Sequence, residues 1–464
     1  MDSYRDFEKA LSTAADVVES AGGRSALLIS HYDADGLSAA SIVTSTLIAK
    51  GFAVHVLILE HPTQTALSRL ERVAQGYPLI LTLDMGSSAL PAFSRLKTKV
   101  LVLDHHLPEE KSEEVIEVNP HRFKINGSFE ISSSGLAYLL AKELEGERAV
   151  KYAPLAVVGA LGDRQDVGKR FRLTGLNEEI VREGINAKLL EERIELRITG
   201  VKRPLVKSLA YTLDPFLPGI TGDEGGALSF LKSIGIEPTI GEKFRTLNDL
   251  NIDERKKLAS ELIKRLIGMG YSVTEAERIY GATYVVLSEP EDSPLHDARE
   301  YAQLLNASGR LGFHDLALAV GLGARGETLL RAVEIAGQYR AMLAKAFKCV
   351  KEENLLKEST GYAIADLRGK SFLNEKISGA IASILSLSIK GDKLLFVFVD
   401  SPEGVKVSVR KCGHTKLNVG ELLSRLAGEA GGTGGGHENA GGATVPANSM
   451  DRFLTLISKE VSGR

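Results

Sequence analysis

The sequence predicts an α/β protein of several domains, whose N-terminal part contains a parallel sheet. Three observations support this fold class and domain number. First, apolar runs alternate with helical patterns over residues 1–185: residues 53–59 are typical of a strand, and residues 37–50 have helical spacing. Strands separated by helices of this length form βαβ units, whose strands pair in parallel. Second, a chain of 464 residues is too long for one ordinary core, so two or three domains are expected.

The third observation is that four short apolar runs each end in acidic or imidazole side chains. These are residues 27–30 before His31, Asp33 and Asp35; residues 79–83 before Asp84; residues 100–103 before Asp104, His105 and His106; and residues 155–161 before Asp163. Ligands of open α/β sheets bind outside the carboxyl ends of the strands, so four such strands would direct these side chains to one crevice. The first motif alone also fits a polar strand-to-helix turn with Asp35 as the N-cap.

The composition is that of a soluble globular protein, with 25% charged and 44% hydrophobic residues. No apolar run approaches the length of a membrane span, and residues 1–22 form an amphipathic helical pattern rather than a signal peptide. We therefore expect a cytoplasmic protein, in which Cys349 and Cys412 are reduced. A net charge of −3 argues against binding of long duplexes by phosphate neutralisation, so any nucleic acid contact must be a local groove.

The predicted crevice has the chemistry of a divalent-cation site. Carboxylates and imidazoles without thiolates suit Mn²⁺ or Mg²⁺ better than a structural zinc ion, and a mixed set of His and Asp favours Mn²⁺. Two such cations, about 3.5 to 4 Å apart, can stabilise the attacking and leaving oxygens of a phosphoester. One carboxylate must then bridge the two ions.

The chain resembles the DHH-type phosphoesterases, a family named for an Asp-His-His triplet, which is Asp104-His105-His106 here. Five short motifs appear in the family's order: His31-x-Asp33-x-Asp35, Asp84, Asp104-His105-His106, Asp163 and, near the carboxyl end, Gly434-Gly435-Gly436-His437. The last motif resembles that of the DHHA1-type substrate-binding domain that accompanies such catalytic domains. The resemblance implies an active cleft between the two ends of the chain, with an inserted α/β module between them.

The resemblance also implies a role for each residue of the metal site. Asp84 bridges two ions, Mn²⁺ or Mg²⁺; His31 and Asp33 serve one ion; and Asp35, His105 and Asp163 serve the other. Beside the metals, His106 donates to the scissile phosphate. Asp104 orients a histidine, as metal-bound imidazoles usually require.

Three consecutive domains are expected: a DHH catalytic domain at residues 1–185, an inserted module at 186–288 and a DHHA1-type substrate-binding domain at 289–464. The middle segment has turn-rich stretches, helical patterns at residues 225–234 and 253–269, and none of the expected metal ligands. It resembles the insert of archaeal RecJ-like nucleases, which implies a docking platform for the GINS replication complex. An interdomain spacer would have the same sequence features.

The C-terminal part carries the predicted substrate contacts. Residues 362–366, 393–399 and 405–409 are β-rich, and Arg410 follows the last of them. The glycines of residues 431–442 would let backbone amides approach a phosphate, although a flexible loop also explains this composition. By resemblance to the family's phosphate-binding pattern, the substrate contacts are Arg410, Gly435, Gly436 and His437.

Several other polar residues receive ordinary structural assignments. Ser132, Ser133 and Ser134 precede a helical pattern and are expected to cap it rather than to contact substrate. Asp166 and Arg164 are expected to be exposed loop charges. The histidines without an expected functional role are His55, His61, His121, His296 and His314.

The resemblance to archaeal RecJ-like chains implies a metal-dependent exonuclease specific for single strands of DNA or RNA. It would release mononucleotides from a 5′ end and act in DNA replication or repair. Two alternatives use the same domains. One is a phosphodiesterase for very short RNA or cyclic dinucleotides, against which the long insert argues. The other is a non-enzymatic scaffold for the replicative helicase, against which the complete set of expected metal ligands argues.

Overall fold

The computed structural model describes residues 2–60, 70–109, 111–200 and 202–462, so His61 lies outside the described residues. The strands are β1 Ser25–His31, β2 Ala53–Leu59, β3 Leu79–Leu83, β4 Lys99–Leu103, β5 Ile116–Val118, β6 Leu190–Leu196, β7 Thr239–Ile240, β8 Lys243–Phe244, β9 Tyr280–Val286, β10 Leu356–Glu358, β11 Tyr362–Asp366, β12 Lys393–Ser401, β13 Gly404–Cys412, β14 Thr433–Gly436 and β15 Ala440–Val445. The helices are α1 Asp2–Glu19, α2 Ala34–Ala49, α3 Leu90–Phe93, α4 Ser133–Glu145, α5 Ala153–Gly162, α6 Leu176–Asn186, α7 Leu205–Tyr211, α8 Glu224–Ser233, α9 Ile252–Gly268, α10 Val273–Glu277, α11 Ala298–Arg310, α12 His314–Gly321, α13 Glu327–Glu352, α14 Ser378–Ser386, α15 Val419–Glu429 and α16 Met450–Ser462.

The N-terminal sheet is parallel throughout, with the strand order β2-β1-β3-β4-β5. Successive side chains of a strand point to opposite faces, and both faces of this sheet are covered. Leu28 and Leu81 lie in one core together with residues of α2, α4 and α5, whereas Leu27 and Ile80 lie in a second core with Phe93. A parallel sheet covered on both faces requires nearly continuous apolar strands. The predicted α/β fold class is therefore confirmed.

One predicted strand is wrong, because residues 155–161 lie within helix α5. Pro154 stands in the first turn of this helix, where a missing N–H costs little. Nearly all of the helix is buried, so its sequence lacks the polar face that would reveal a helical period. A short apolar run buried on all sides fits a helix and a strand equally well. The strand that pairs with β4 is instead the three-residue β5, which the sequence analysis does not predict.

The chain divides into two compact units. The first comprises Met1–Glu195 with Gly281–Ala336, and the second comprises Leu196–Tyr280 with Gly337–Arg464. Helices α11 and α12 belong to the first unit because Tyr301, Leu305 and Ala317 pack in the same core as the helices that cover the parallel sheet. This division differs from the three consecutive domains expected from the sequence, in which residues 289–336 belong to the C-terminal domain.

Two cores of the second unit can be described. Apolar residues between Leu196 and Ile279 form one of them, and the other lies between the C-terminal sheet and helices α15 and α16. This sheet has the order β10-β11-β12-β13-β15-β14 and is antiparallel except between β11 and β12. Much of the glycine-rich segment is an antiparallel hairpin of β14 and β15 rather than a flexible loop. Across the described residues, no helix is both long and apolar enough to cross a membrane.

Asp166 requires a second correction, because it is fully buried rather than an exposed loop charge. Its Oδ2 accepts a hydrogen bond of 3.0 Å from Nη2 of Arg299, 133 residues later, at the start of α11. Burial of a charge is tolerated when the charge is paired and hydrogen-bonded. This ion pair ties α11 to the segment that follows α5.

We expect Asp166→Asn to lower the free energy of unfolding by about 3 kcal/mol, because it removes the negative charge that is paired with the buried Arg299 guanidinium. Urea denaturation followed by far-UV circular dichroism measures this difference. The matched control is Asp6→Asn, which removes an exposed partner of Lys9 and should change stability little. Equal denaturation midpoints for the two variants would contradict the structural role of the Asp166–Arg299 pair.

Candidate metal centre

The first motif spans the junction between β1 and α2. His31 is the last residue of β1, and Asp33 is the N-cap of α2. Oδ1 of Asp33 accepts a hydrogen bond of 3.0 Å from the Gly36 N–H, and its Oδ2 lies 2.9 Å from Nδ1 of His31. Asp35 lies inside the first helical turn, so the alternative assignment of Asp35 as the N-cap is wrong.

Asp35 is held at the N-terminus of another helix. Its two carboxylate oxygens accept hydrogen bonds from the backbone N–H groups of Ser133, at 2.7 Å, and Ser134, at 2.9 Å. These groups belong to the first turn of α4, and Ser132 is the N-cap of that helix. The predicted capping role of the serine run is confirmed, and its backbone also binds a carboxylate, as helix N-termini commonly do.

Asp84 follows β3 and lies between two histidines. Its Oδ2 is 3.3 Å from Nδ1 of His31, and its Oδ1 is 3.3 Å from Nε2 of His105. The φ angle of Asp84 is +61°, in the left-handed region that costs energy for a residue with a side chain. Gly86 permits the tight turn that follows, because a Cβ there would lie 2.7 Å from Oγ1 of Thr82.

The second residue of the triplet, His105, is oriented by hydrogen bonds outside the triplet. Its Nδ1–H donates to the Gly127 carbonyl at 2.7 Å, which leaves Nε2 with the lone pair that a metal ion requires. Nε2 of Gln165 donates to the same carbonyl at 2.9 Å, and Asn177 holds the Gln165 side-chain oxygen at 2.7 Å.

The first residue of the triplet, Asp104, orients the third. Oδ1 of Asp104 accepts hydrogen bonds from Nδ1 of His106, at 2.8 Å, and from the His106 backbone N–H, at 3.1 Å. Its Oδ2 accepts from the Ser87 N–H at 2.9 Å. Asp104 is buried, whereas 43% of the His106 side chain is exposed, so His106 presents its ring at the surface of the site.

Asp163 is the C-cap residue of α5. Its Oδ2 lies 3.0 Å from Nε2 of His105. The correction from strand to helix therefore leaves the expected position of Asp163 unchanged, because this side chain still follows the carboxyl end of a buried element. Gly159, one turn earlier, allows Asp35 to approach, since a Cβ at this position would lie 2.5 Å from Oδ1 of Asp35.

The side chains converge as potential ligands in groups that share Asp84. One group is His31, Asp33 and Asp84; another is Asp35, Asp84, His105 and Asp163; and a third is Asp84, His105 and His106. Both oxygens of Asp84 and Nε2 of His105 are buried without a hydrogen-bond partner among the described residues. Buried polar atoms normally have partners, so these atoms fit a ligand role. Oxygen and imidazole ligands suit Mn²⁺ or Mg²⁺.

The crowding of carboxylates changes the protonation of the site. Burial, together with the charges of Asp163 and Asp84, raises the pKa of Asp35 to about 8. Burial alone would lower the pKa values of His31 and His105, but the neighbouring carboxylates raise both well above 6.5. The hydrogen bond to Asp104 likewise outweighs burial and raises the pKa of His106 to about 9. Protons thus partly neutralise the site in the absence of cations.

Sequence reasoning missed several residues that support this site. Gln165 and Asn177 orient His105 through the Gly127 carbonyl, and all three lie in segments without a recognisable motif. His121, assigned no functional role, lies beside the triplet: its Nε2 is 2.9 Å from the position that a Cβ on Gly127 would occupy, and burial lowers its pKa. The available signal was the position of Gln165, two residues after Asp163.

The predicted substrate residues lie in strands β13 and β14 of the C-terminal sheet and in the turn that follows β14. Arg410 lies within β13 rather than after it, and donates hydrogen bonds to Oγ of Ser383, at 2.9 Å, and to the Gly379 carbonyl, at 3.2 Å. It pairs with Ala440, whose carbonyl accepts the His437 N–H at 2.8 Å in the turn of the β14–β15 hairpin. A Cβ on Gly435, unlike one on Gly434 or Gly436, would meet no atom within 4 Å.

Family models match three parts of the chain. The model described as the N-terminal domain of the DHH family matches residues 25–160. A DHH-CID domain matches residues 200–280, and a DHHA1 domain matches residues 359–463. Asp163 and the segment 281–358 lie outside all three matches.

Two relatives are similar in sequence. The uncharacterized protein MJ0831 of Methanocaldococcus jannaschii is 30% identical over 444 residues, which cover 93% of this chain and 92% of the relative. The single-stranded-DNA-specific exonuclease RecJ of Thermus thermophilus is 28% identical over 216 residues. That alignment covers 44% of this chain and 30% of RecJ, so most of RecJ has no counterpart in it.

Two solved structures share the fold over 98% of this chain. RecJ of Thermus thermophilus in complex with Mn²⁺ has a TM-score of 0.60 and 19% identity, and 55% of that chain is covered. CDC45 of Entamoeba histolytica has a TM-score of 0.65 and 11% identity, with 98% of that chain covered. At these identities the likeness establishes the fold alone.

We expect the chelator-treated protein to lose thermal stability as the pH rises from 6.5 to 9.5, by about 5 °C or more. Asp35, His31, His105 and His106 have folded-state pKa values above their ordinary values. Such groups stabilise the fold below the unfolded-state pKa, and this contribution is lost as the pH passes the folded-state value. Asp33 and Asp104, whose pKa values are lowered, lose their contribution only in acid.

Melting curves by circular dichroism at several pH values provide the measurement. Asp35→Asn should flatten the decline, whereas the exposed Asp16→Asn should leave it unchanged. Added Mn²⁺ should reverse the trend, because metal binding displaces these protons and strengthens as the pH rises. A melting temperature that rises with pH in the chelator-treated protein would contradict this electrostatic description.

Proposed function

Because the chain belongs to the DHH family and combines DHH, DHH-CID and DHHA1 domains, we propose that it is a metal-dependent exonuclease specific for single-stranded nucleic acid. It hydrolyses phosphodiester bonds of DNA or RNA from the 5′ end and releases mononucleotides. The observation that carries this proposal is Asp84, which lies between His31 and His105 and belongs to every group of potential ligands found among the described residues. A shared carboxylate is what a two-metal hydrolase requires.

The residues of the site would hold two ions. His31 and Asp33 would hold one ion, Asp35, His105 and Asp163 would hold the other, and Asp84 would serve both. Cations bound here would polarise the phosphoryl oxygens and lower the pKa of the attacking water. The RecJ structures from Thermus thermophilus contain Mn²⁺ or Mg²⁺, which favours these two metals for this chain.

His106 is placed to act on the substrate directly. With Nδ1 held by Asp104, Nε2 is the nitrogen that donates a hydrogen bond to a phosphoryl oxygen as negative charge develops on it. Asp104 keeps the ring in this orientation and stabilises its protonated form. The partial exposure of His106 allows contact with a bound strand.

The C-terminal sheet would bind the phosphate backbone. Neither packing nor a positive φ angle explains the lack of a side chain at Gly435, so its backbone can approach a phosphate closely. Gly436 and His437 follow it in the chain, and Arg410 pairs with Ala440 of the neighbouring strand β15. The single-stranded-DNA specificity named for RecJ of Thermus thermophilus supports a single strand as the substrate, and the net charge of −3 agrees with local rather than extended phosphate binding.

A second role is partner docking by residues 200–280, which match the DHH-CID domain. This segment contributes its own core and exposes Ile240, Phe244 and Ile252. The fold likeness to CDC45 is compatible with a scaffold in replication, and the GINS complex is the proposed partner. Docking and hydrolysis can coexist, because the residues of the candidate metal centre lie outside this segment.

We expect the full chain with Mn²⁺ to release mononucleotides from the 5′ end of a single-stranded DNA labelled separately at each end. Asp84→Asn should lower the rate about 10³-fold or more, since it removes the ligand that both ions share. Asp315→Asn, an exposed substitution on α12, is the matched control and should retain full activity. Loss of an Arg410 hydrogen bond to phosphate in Arg410→Ala should raise KM about tenfold, whereas Arg425→Ala should not.

The other outcomes separate the alternatives. Hydrolysis confined to di- or trinucleotides or to cyclic dinucleotides would replace the exonuclease with a small-substrate phosphodiesterase. Hydrolysis of no substrate, together with co-elution with an archaeal GINS complex, would favour the scaffold. Full activity of Asp84→Asn would contradict the assignment of Asp84 as the shared ligand.

A further inference from the structure

The loop that carries Asp33 and Asp35 is held by a side chain far along the sequence. The Ala34 N–H donates a hydrogen bond of 2.9 Å to Oδ1 of Asn306, 272 residues later in α11. Ala34 is the first residue of α2, and the N–H groups of a first helical turn have no partner within the helix. Asn306 therefore supplies an acceptor that the loop does not contain.

The Asn306 oxygen matters because the Asp33 carboxylate cannot accept the Ala34 N–H without losing one of its own contacts. One oxygen of Asp33 accepts from the Gly36 N–H, and the other lies 2.9 Å from Nδ1 of His31. If the Ala34 N–H had to bond to this carboxylate, Asp33 would turn away from the position that brings it beside His31. Ala34 also lies between Asp33, which would bind one ion, and Asp35, which would bind the other. The orientation of its peptide therefore fixes both carboxylates.

Close packing holds α11 against the same loop. A Cβ on Gly309 would lie 1.8 Å from the Tyr32 carbonyl oxygen, and a Cβ on Gly162 would lie 2.6 Å from the Ala34 Cβ and 3.6 Å from Nδ2 of Asn306. Neither glycine has a positive φ angle, so the contacts themselves require the small residues. The buried Asp166–Arg299 pair anchors the start of the same helix.

We propose that Asn306 is a positioning residue of the metal centre, which fixes the Asp33–Asp35 loop in the geometry that binds the two cations. The inference rests on the proposed function and extends it to α11, which lies outside the residues matched by the three family models. Asn306 acts through the Ala34 N–H and contacts neither metal nor substrate. Residues that orient metal ligands typically change metal affinity by about 10- to 100-fold when removed.

Isothermal titration of the chelator-treated full chain with Mn²⁺ tests this role. We expect Asn306→Ala to weaken Mn²⁺ binding about 10-fold or more and to lower kcat on single-stranded DNA without changing KM. Asn306→Asp retains an acceptor for the Ala34 N–H and should restore the affinity to at least the original value. Asn186→Ala, an exposed substitution at the end of α6, is the matched control and should bind Mn²⁺ normally.

A second variant tests the loop without removing a hydrogen-bonding group. Gly309→Ala introduces a Cβ against the Tyr32 carbonyl and should weaken Mn²⁺ binding as Asn306→Ala does. Unchanged Mn²⁺ affinity in Asn306→Ala, or equal weakness of Asn306→Asp and Asn306→Ala, would overturn the positioning role while leaving the proposed function intact. Failure of the unaltered chain to bind Mn²⁺ would overturn the proposed function and this inference with it.

Discussion

Mutual repulsion among buried carboxylates is the constraint on which the rest of the catalytic unit depends. Asp35 and Asp84 are almost completely buried, and Asp33 and Asp163 lie beside them. Four negative charges in a poorly solvated space are stable only when cations or protons balance them. The raised pKa of Asp35 shows the protons that a metal-free site retains, and two divalent cations would supply the same balance permanently.

Much of the surrounding structure serves to hold these charges in place. The N-terminus of α4 binds Asp35, the turn after β3 holds Asp84 at a positive φ angle, and the Gly127 carbonyl fixes the tautomer of His105. Each of these supports uses backbone groups, which cannot be lost by side-chain substitution. The parallel sheet delivers three of the motifs, whereas a buried helix delivers the fourth. The site thus depends on the packing of α5 and α11 as well as on the sheet.

The sequence was sufficient to predict the fold class and to identify side chains that the structure brings together around Asp84, because those residues follow short apolar runs at recognisable spacings. It was insufficient to distinguish helix α5 from a strand, since a fully buried helix has no polar face to reveal its helical period. Asp166 and Asn306 were also beyond reach, because their partners lie 133 and 272 residues away. Such pairings depend on tertiary packing, which no local pattern encodes. For the same reason, the sequence could not place α11 and α12 with the N-terminal unit.

The most direct measurement is anomalous diffraction at the manganese absorption edge from crystals of the full chain soaked in Mn²⁺. The proposed mechanism predicts two anomalous peaks about 3.5 to 4 Å apart, with Asp84 in contact with both. His31 and Asp33 should contact one peak, and Asp35, His105 and Asp163 the other. A single peak, or two peaks that do not share Asp84, would contradict the two-metal centre from which the function is inferred.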